Sequence, residues 1–228
     1  NKIEKFVYAS SGCSIYGSAA PLPLKEEFMS MHLTTPYQVT KMLGELYYQY
    51  LNGEEDFIRA LFANGETQLG RAFVNESMLS ADNVLHVLDY ERASHVIDSA
   101  TAMGIGICYC RHKMQHVGKD CAAPKDICMT FNFTATSLIR HGYARAVGKS
   151  EGMDLLAQAY DNNLVQFGEN VRESVNFICN CCGCCCEAMI AARKFGMMNP
   201  VHTTNFVPQI QLDKCNGCNK CAHTCPVE

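Results

Sequence analysis

The sequence predicts an α+β protein: a mostly helical, cysteine-rich region preceded by a shorter α/β segment. Three observations predict this class. Apolar residues recur at helical spacing between capping residues, short apolar runs typical of buried strands lie between these segments, and fourteen of the fifteen cysteines lie from Cys108 onward. The 228 residues suffice for one large domain or two modest ones.

The first 52 residues read as a strand, a loop and a helix. The apolar, aromatic-rich run at residues 5–10 predicts a buried strand, and residues 11–33 carry the glycine and proline breaks of a loop. Thr35 is suited to cap a helix with Pro36 in its first turn, and this helix is expected to end at Asn52-Gly53.

The rest of the chain alternates helical patterns with short strands. Helices are predicted over residues 56–63, 90–103 and 187–195, the last of them ending before Gly196. In the second of these helices one face carries Ala93, Val96, Ile97 and Ala100. A fourth helix is expected to begin at the cap Ser150 and to carry Leu155, Leu156, Ala159 and Tyr160 on one face. Strands are predicted over residues 105–110, 175–178 and 206–212.

Charge and hydropathy exclude two classes of partner. The net charge is −4, charged residues make up 18% of the chain against about 25% in typical domains, and no long run of one sign occurs. This argues against nucleic acid and against a polybasic membrane anchor. No apolar run reaches the roughly 18 residues of a spanning helix, and no export leader opens the sequence, so a cytoplasmic protein without a membrane span is expected.

The cysteines indicate metal binding. Their number is odd, the chain is not short and no export signal precedes them, so a disulfide scaffold is disfavoured. The strongest motif is a C-x2-C-x2-C-x3-C-P run, whose spacing lets a tight loop wrap an iron–sulfur cube, with Asn216-Gly217 forming the turn. Its cysteines are Cys215, Cys218, Cys221 and Cys225.

Two further groups of cysteines lie upstream. The first comprises Cys108, Cys110, Cys121 and Cys128, a full ligand set in which the first two would share one face of a strand. The second packs six cysteines into eight residues at the expected start of a helix: Cys179, Cys181, Cys182, Cys184, Cys185 and Cys186. Three or four of these six would ligate a cluster, and the others would face a second metal or act as redox thiols.

The motif at residues 212–228 resembles the bacterial two-cluster ferredoxins. A second such motif is missing, so Cys225 would bind either the cluster of its own loop or a cluster completed elsewhere. More widely, residues 54–228 resemble uncharacterised ferredoxin-like proteins, on the segments Cys-Tyr-Cys-Arg-His, Asp126–Phe131, Asn180–Cys186 and Pro200–Phe206. This resemblance implies an electron carrier with one to three [4Fe-4S] clusters and with redox proteins as partners; the oligomeric state is left open.

The histidines and one arginine have secondary roles in this interpretation. His112, His116, His141 and His202 are expected to be polar surface groups or hydrogen-bond donors beside a cluster, with His112 the best candidate for a ligand. Arg111 is expected to neutralise cluster charge or to pair with a carboxylate.

The N-terminal residues resemble a different family. Phe6 to Gly17, followed by Thr35-Pro36-Tyr37-Gln38-Val39-Thr40-Lys41, is similar to the extended short-chain dehydrogenases, in particular nucleotide-sugar epimerases and dehydratases. The resemblance implies part of a Rossmann-type fold with Tyr37 and Lys41 as catalytic residues, the tyrosine exchanging a proton during hydride transfer with the help of the lysine. The two residues are four apart on the predicted helix and so share a face.

The chain departs from this family in two respects. Gly12 stands where the family places a catalytic serine or threonine, which Ser11 or Ser14 would have to replace, and no Gly-x-x-Gly-x-x-Gly loop occurs. The sequence therefore argues against NAD as a cofactor, and it predicts a chimera joined near Asn52.

Three domains and three functions follow. The domains are an epimerase-like fragment (1–52), a cluster-binding region (53–200) and a truncated ferredoxin-type module (201–228). The favoured function is a non-catalytic iron–sulfur electron carrier. The alternatives are an NAD-dependent epimerase or dehydratase fragment fused to it, and a cluster-dependent thiol or heterodisulfide redox enzyme.

Overall fold

The computed structural model describes residues 9, 33, 35–53, 55–62, 70–81, 87–198 and 205–227. It divides into two compact units, Asn1–Ile58 and Arg59–Glu228. Except for Ala9 and Leu33, the strand and loop predicted over residues 5–33 lie outside the described residues, as do Cys13, Asn199-Pro200 and His202. The three predicted domains remain a prediction.

The N-terminal unit contains the predicted helix. Helix α1 spans Pro36–Asn52; the Thr35 hydroxyl accepts a hydrogen bond from the Gln38 N–H, and the Gln38 side chain accepts one from the Thr35 N–H. This reciprocal capping satisfies two donors that a helix start would leave unpaired. Gly53 ends the helix in the left-handed region at φ 61°, where a glycine is not strained. The predicted cap, first turn and end of α1 are confirmed.

A six-stranded sheet is the centre of the second unit. Its strands are β1 (Gly70–Ala72), β2 (Met103–Gly106), β3 (Cys128–Phe131), β4 (Arg145–Ala146), β5 (Val165–Glu169) and β6 (Phe177–Cys181). Their order is β1-β5-β6-β3-β2-β4, and every neighbouring pair is antiparallel. Antiparallel strands need no helical crossover, so helices and strands need not alternate along the chain.

The described helices have the following bounds. They are α1, α2 (Glu55–Phe62), α3 (Ala93–Ser99), α4 (Tyr109–His116), α5 (Asn132–Arg140), α6 (Lys149–Asp161), α7 (Glu187–Phe195) and α8 (Lys220–Thr224). The main core of the second unit joins Val96 and Ile97 of α3 and Leu156 of α6 to Met129 and Phe131 of β3. The predicted apolar face of α3 is therefore confirmed. None of the described helices has both the length and the hydropathy that crossing a membrane requires.

The sheet corrects several predictions. The α+β class is confirmed, and the cysteine-rich region carries a six-stranded sheet beside its helices. The strand expected over residues 105–110 ends at Gly106, and Cys110 lies in α4. Helix α6 is preceded by Gly148 and not capped by Ser150, the strand expected over residues 175–178 is shifted to β6, and residues 206–212 form no strand. β6 extends beyond Ile178 because Cys179 and Cys181 pair with Phe167 and Val165 of β5.

Candidate functional site

Four cysteines of the second unit bring their sulfur atoms together. The Sγ atoms of Cys121, Cys182, Cys184 and Cys185, the four-cysteine site, all lie within 4.8 Å of one another. Cys121 Sγ is 3.8 Å from Cys182 Sγ and 3.9 Å from Cys185 Sγ, and Cys184 Sγ is 3.7 Å from Cys185 Sγ. Among the residues that the structure describes, this is the one group found to meet the geometric requirement for a metal ion.

These distances fit four ligands of one ion. Thiolates about 2.3 Å from a tetrahedral zinc ion lie about 3.8 Å from each other. In an iron–sulfur cube each cysteine binds a different iron, so the ligand sulfurs lie farther apart. The geometry of the four-cysteine site therefore favours a single tetrahedral ion.

A tight turn supplies three of the four ligands. Residues 182–186 connect β6 to α7, and Cys121 comes from the loop after α4. At the turn, Gly183 packs so closely on the carbonyl of Pro226 that a Cβ atom would collide with it. Cys185 is fully buried, whereas Cys184 is exposed. The site thus lies just beneath the surface.

Six other cysteines shift one another's pKa values in a closed sequence. In the order Cys108, Cys110, Cys186, Cys181, Cys179, Cys128 and back to Cys108, each side chain shifts the pKa of the next one. We call this set the six-cysteine ring. Cys108, Cys181 and Cys186 are buried, and the other three are half-buried.

The sheet and two helix starts assemble the ring. Cys179 and Cys181 are two residues apart on β6 and so project from one face. Because Met129 of β3 pairs with Ile178 of β6, extending this register by one residue brings Cys128 opposite Cys179. Cys108 and Cys186 occupy the N-cap positions of α4 and α7, where the positive ends of the helix dipoles favour thiolates.

The pKa directions alternate around the ring. Hydrogen bonds from Cys110 and Cys128 lower the pKa of Cys108 to about 2, and similar bonds lower the pKa values of Cys179 and Cys186. The partner thiols that donate these bonds, those of Cys110, Cys128 and Cys181, have raised pKa values. In this order, each cysteine with a lowered pKa therefore stands between two cysteines with raised pKa values.

The pKa values of cysteines in the four-cysteine site are also shifted in both directions. Burial raises the pKa of Cys182 to about 11 and also raises that of Cys185. Burial acts in the same direction on Cys121, but hydrogen bonds from the Ala123 N–H and from the neighbouring thiols outweigh it, and the pKa of Cys121 is lowered. Cys121 is therefore the thiol of this site most ready to ligate a metal as a thiolate.

Arg111 lies near both groups of sulfurs. Its side chain is fully buried, and burial alone would lower its pKa, but the charges of Cys108, Cys182, Cys128 and Cys121 raise it overall. The guanidinium donates through Nη1 and Nη2 to the Asn180 carbonyl at 3.2 and 2.6 Å. Its Nε has no hydrogen-bond partner among the described residues. The expected role in neutralising charge at the cysteines is consistent with this position.

The structure regroups the predicted ligands. The sequence placed Cys121 with Cys108, Cys110 and Cys128, but Cys121 contacts the turn at residues 182–185. The consecutive run from Cys179 to Cys186 is split between the two groups, because the chain turns sharply after Cys181. The alternation of Cys179 and Cys181, typical of a strand, is the sequence signal that indicates this division.

The described cysteines of the C-terminal motif do not bring their sulfur atoms together as those of the four-cysteine site do. Cys215, Cys218, Cys221 and Cys225 are all exposed, and among the described residues no three of them meet the distance requirement that the four-cysteine site meets. The turn itself is as predicted: Gly217 has φ 71°, and the Asn216 side chain accepts a hydrogen bond from the Cys218 N–H. Ligation by this motif remains a prediction.

The described histidines contact other groups. His112 and His116 face each other, with their Nε2 atoms 3.2 Å apart on an exposed part of α4. His141 Nδ1 lies 2.8 Å from the Ser137 carbonyl oxygen. The His112 side chain therefore interacts with a second histidine one turn along the helix, while its backbone N–H donates a hydrogen bond to the Cys108 carbonyl at 2.9 Å.

The two residues implied by the epimerase resemblance lie one turn apart on α1. Lys41 Nζ is 5.7 Å from the centre of the Tyr37 ring and donates a hydrogen bond to the Ala9 carbonyl at 2.6 Å. The Tyr37 side chain is 55% exposed. Ser11, Gly12, Ser14 and Tyr16 lie outside the described residues.

The comparison with protein families gives one match. The NAD dependent epimerase/dehydratase family matches residues 1–101, which supports the predicted epimerase fragment and extends it well beyond residue 52. This family points to NAD(P) binding, so the expectation that argued against NAD was wrong. The match ends before Cys108 and includes only Cys13 of the fifteen cysteines. No curated protein and no solved structure matches the chain.

Proposed function

We propose that residues 1–101 are an NAD(P)-binding segment of epimerase or dehydratase type, and that residues 108–228 form a metal–thiolate electron carrier. The family match supports the first function, and the four converging sulfurs of Cys121, Cys182, Cys184 and Cys185 support the second. The match does not reach the cysteines, so the two functions are argued and tested separately.

The pair formed by Tyr37 and Lys41 supports the first function beyond the match. The two side chains share one face of α1, with the ammonium group near the aromatic ring. A bound NAD(P) supplies hydride transfer. Tyr37 then holds or releases a proton at its hydroxyl, and Lys41 provides the adjacent positive charge, which also attracts an anionic dinucleotide.

NADH and NADPH binding to the full chain tests this function. The fluorescence of either dinucleotide should change on binding, with a dissociation constant below about 1 mM, the weak end of ordinary enzyme affinities. Lys41→Met should weaken binding several-fold because the cation is lost. The matched control is Tyr47→Phe, an exposed tyrosine on the same helix. Failure of both dinucleotides to bind, or equal binding by the Lys41 variant, would contradict the assignment.

The four-cysteine site supports the second function. Soft thiolate ligands in tetrahedral geometry select zinc or iron over oxygen-preferring ions such as Mg²⁺ and Ca²⁺. Iron can change its oxidation state and zinc cannot. We assign iron because the same unit carries a cysteine spacing typical of iron–sulfur proteins. The exposed Cys184 places this ion within reach of a redox partner at the surface.

Metal analysis of anaerobically purified full-length protein tests the assignment. Cys121→Ser/Cys185→Ser should lose one iron per chain together with its thiolate-to-iron absorption, because two of four ligands are removed. The control Cys215→Ser/Cys218→Ser should keep that iron, since those cysteines are exposed and separate. An unchanged metal content in the first variant would overturn the site. Zinc in place of iron would overturn electron transfer while leaving the metal site intact.

A further inference from the structure

We infer that a polar cavity beside α3 binds a small zwitterion, namely an amino acid with an apolar side chain. The cavity has a volume of about 500 Å³, which is within the range of small-molecule sites. Its walls come from α3, from the first residue of α5 and from the loop that connects β5 to β6. The described residues that line it include no cysteine and no residue of α1, so its test is separate from those of the metal and of the dinucleotide.

The walls of the cavity are joined by Asn132. Its side-chain oxygen accepts hydrogen bonds from the Thr101 N–H at 3.0 Å and from the Thr101 hydroxyl at 3.1 Å. Its side-chain nitrogen donates to the Val175 carbonyl at 3.4 Å. A single residue therefore fixes two walls, so the cavity is formed before a ligand enters.

The backbone is strained at two positions of the lining. Asn132 has φ 54° and Ser174 has φ 55°, in the left-handed region that favours glycine. These are two of the four non-glycine residues with positive φ in the part of the chain that the structure describes. Strain of this kind costs free energy and is concentrated at binding sites.

The same wall of the cavity carries a cation and an anion. Arg172 and Glu173 are both exposed, and among the described residues neither forms an ion pair. A simple anion would be repelled by Glu173, and a simple cation would be repelled by Arg172. A ligand with both charges satisfies both residues, because a guanidinium binds a carboxylate through paired N–H groups and a carboxylate accepts from an ammonium group.

The floor of the cavity is apolar. Val96 and Val175 are buried there as part of the main core, and the half-buried ring of Tyr90 lies beside them. The ring is held between two guanidinium groups, since the Cζ atoms of Arg71 and Arg172 lie 4.7 and 5.9 Å from its centre. An apolar side chain would pack on this floor while the charged end of the amino acid faces the exposed wall.

Calorimetric titration of the full chain with L-phenylalanine tests the inference. At pH 8, where an imidazole such as that of His95 in the lining is neutral, the dissociation constant should be below about 1 mM. 3-Phenylpropionate lacks the ammonium group and 2-phenylethylamine lacks the carboxylate. Each should bind about tenfold more weakly, because each leaves one charged residue unpaired. Equal binding of the three probes, or no binding of either L-phenylalanine or L-leucine, would overturn the site.

Variants then assign the two charges. Arg172→Gln should weaken binding of L-phenylalanine about tenfold and leave that of 2-phenylethylamine unchanged. Glu173→Gln should also weaken L-phenylalanine, but it should leave 3-phenylpropionate unchanged. The control Arg193→Gln replaces an exposed arginine of α7 and should bind all three probes as the parent does. Unchanged binding of L-phenylalanine by both cavity variants, or an equal loss for all three probes, would contradict the assignment.

Discussion

Replacing Lys113 by methionine should lower the free energy of unfolding by about 3–5 kcal/mol, the usual effect of leaving a buried charge without its partner. Lys113 of α4 forms an ion pair with Glu187 at the start of α7, and their side chains are only 4% and 9% exposed. The second carboxylate oxygen of Glu187 has no hydrogen-bond partner among the described residues. The variant therefore leaves the buried carboxylate of Glu187 without its cationic partner. Urea unfolding of the reduced protein measures the change.

A double variant and an exposed pair are the controls. Lys113→Met/Glu187→Met removes both charges and should recover most of the lost stability, since the penalty comes from the unpaired charge. Arg145→Met breaks the ion pair with Glu151, whose side chains are 56% and 46% exposed, and should cost less than about 1 kcal/mol. If Lys113→Met costs no more than Arg145→Met, the interpretation of Lys113–Glu187 as a buried, interdependent pair is wrong.

Local signals explain which elements the sequence could predict. The start and end of α1 depend on Thr35, Pro36 and Gly53, which act within one turn of the helix. The same holds for α7, where Gly196 adopts φ 65° directly after the last helical residue. Caps of this kind are encoded by neighbouring residues, so a single sequence suffices to find them.

The sheet depends on contacts that no local pattern contains. β1 pairs with β5, joining Gly70 to Glu169 across about a hundred residues, and β4 has only two residues. The run at residues 206–212 has an alternating pattern but forms no strand, because alternation does not by itself supply a pairing partner. Strand pairing, and with it the balance of helix and sheet, could not be obtained from one sequence.

The same limit applies to the cysteines. Sequence proximity placed Cys121 with Cys128 and kept the run from Cys179 to Cys186 together. The fold instead joins Cys121 to Cys182, 61 residues away. That the cysteines converge could be predicted from their number and density; which ones converge depends on β3, β6 and the turn after Cys181.

Replacing Arg111 by methionine should weaken metal binding at the four-cysteine site and also destabilise the fold. The guanidinium makes two hydrogen bonds to the carbonyl of Asn180, a residue that is itself fully buried. The loss of these bonds leaves a buried carbonyl unpaired, at a cost of about 1–3 kcal/mol. Asn180 also donates to the Ile127 carbonyl and accepts from Gln166, so the disturbance reaches β5 and the residue that precedes β3.

The effect on metal binding has a direction in pH. Metal ligation requires deprotonated cysteines, and the positive charge of Arg111 favours the thiolates of Cys108, Cys128, Cys121 and Cys182. Without that charge, protons compete more effectively with the metal, so the midpoint of cobalt(II) binding should move to higher pH. Lys125→Met, which removes a half-exposed cation paired with Asp120, should leave the midpoint unchanged.

Arg111→Lys separates the two roles of the side chain. Lysine keeps the charge but not the planar pair of donors, so this variant should restore the pH midpoint of metal binding while remaining less stable than the parent. Equal midpoints in the lysine and methionine variants would mean that packing and hydrogen bonding, and not charge, account for the effect. An unchanged midpoint in both would mean that Arg111 has no electrostatic influence on the cysteines. The lysine variant thus tests directly whether the charge of this buried cation stabilises the cysteine thiolates or whether the side chain has a structural role alone.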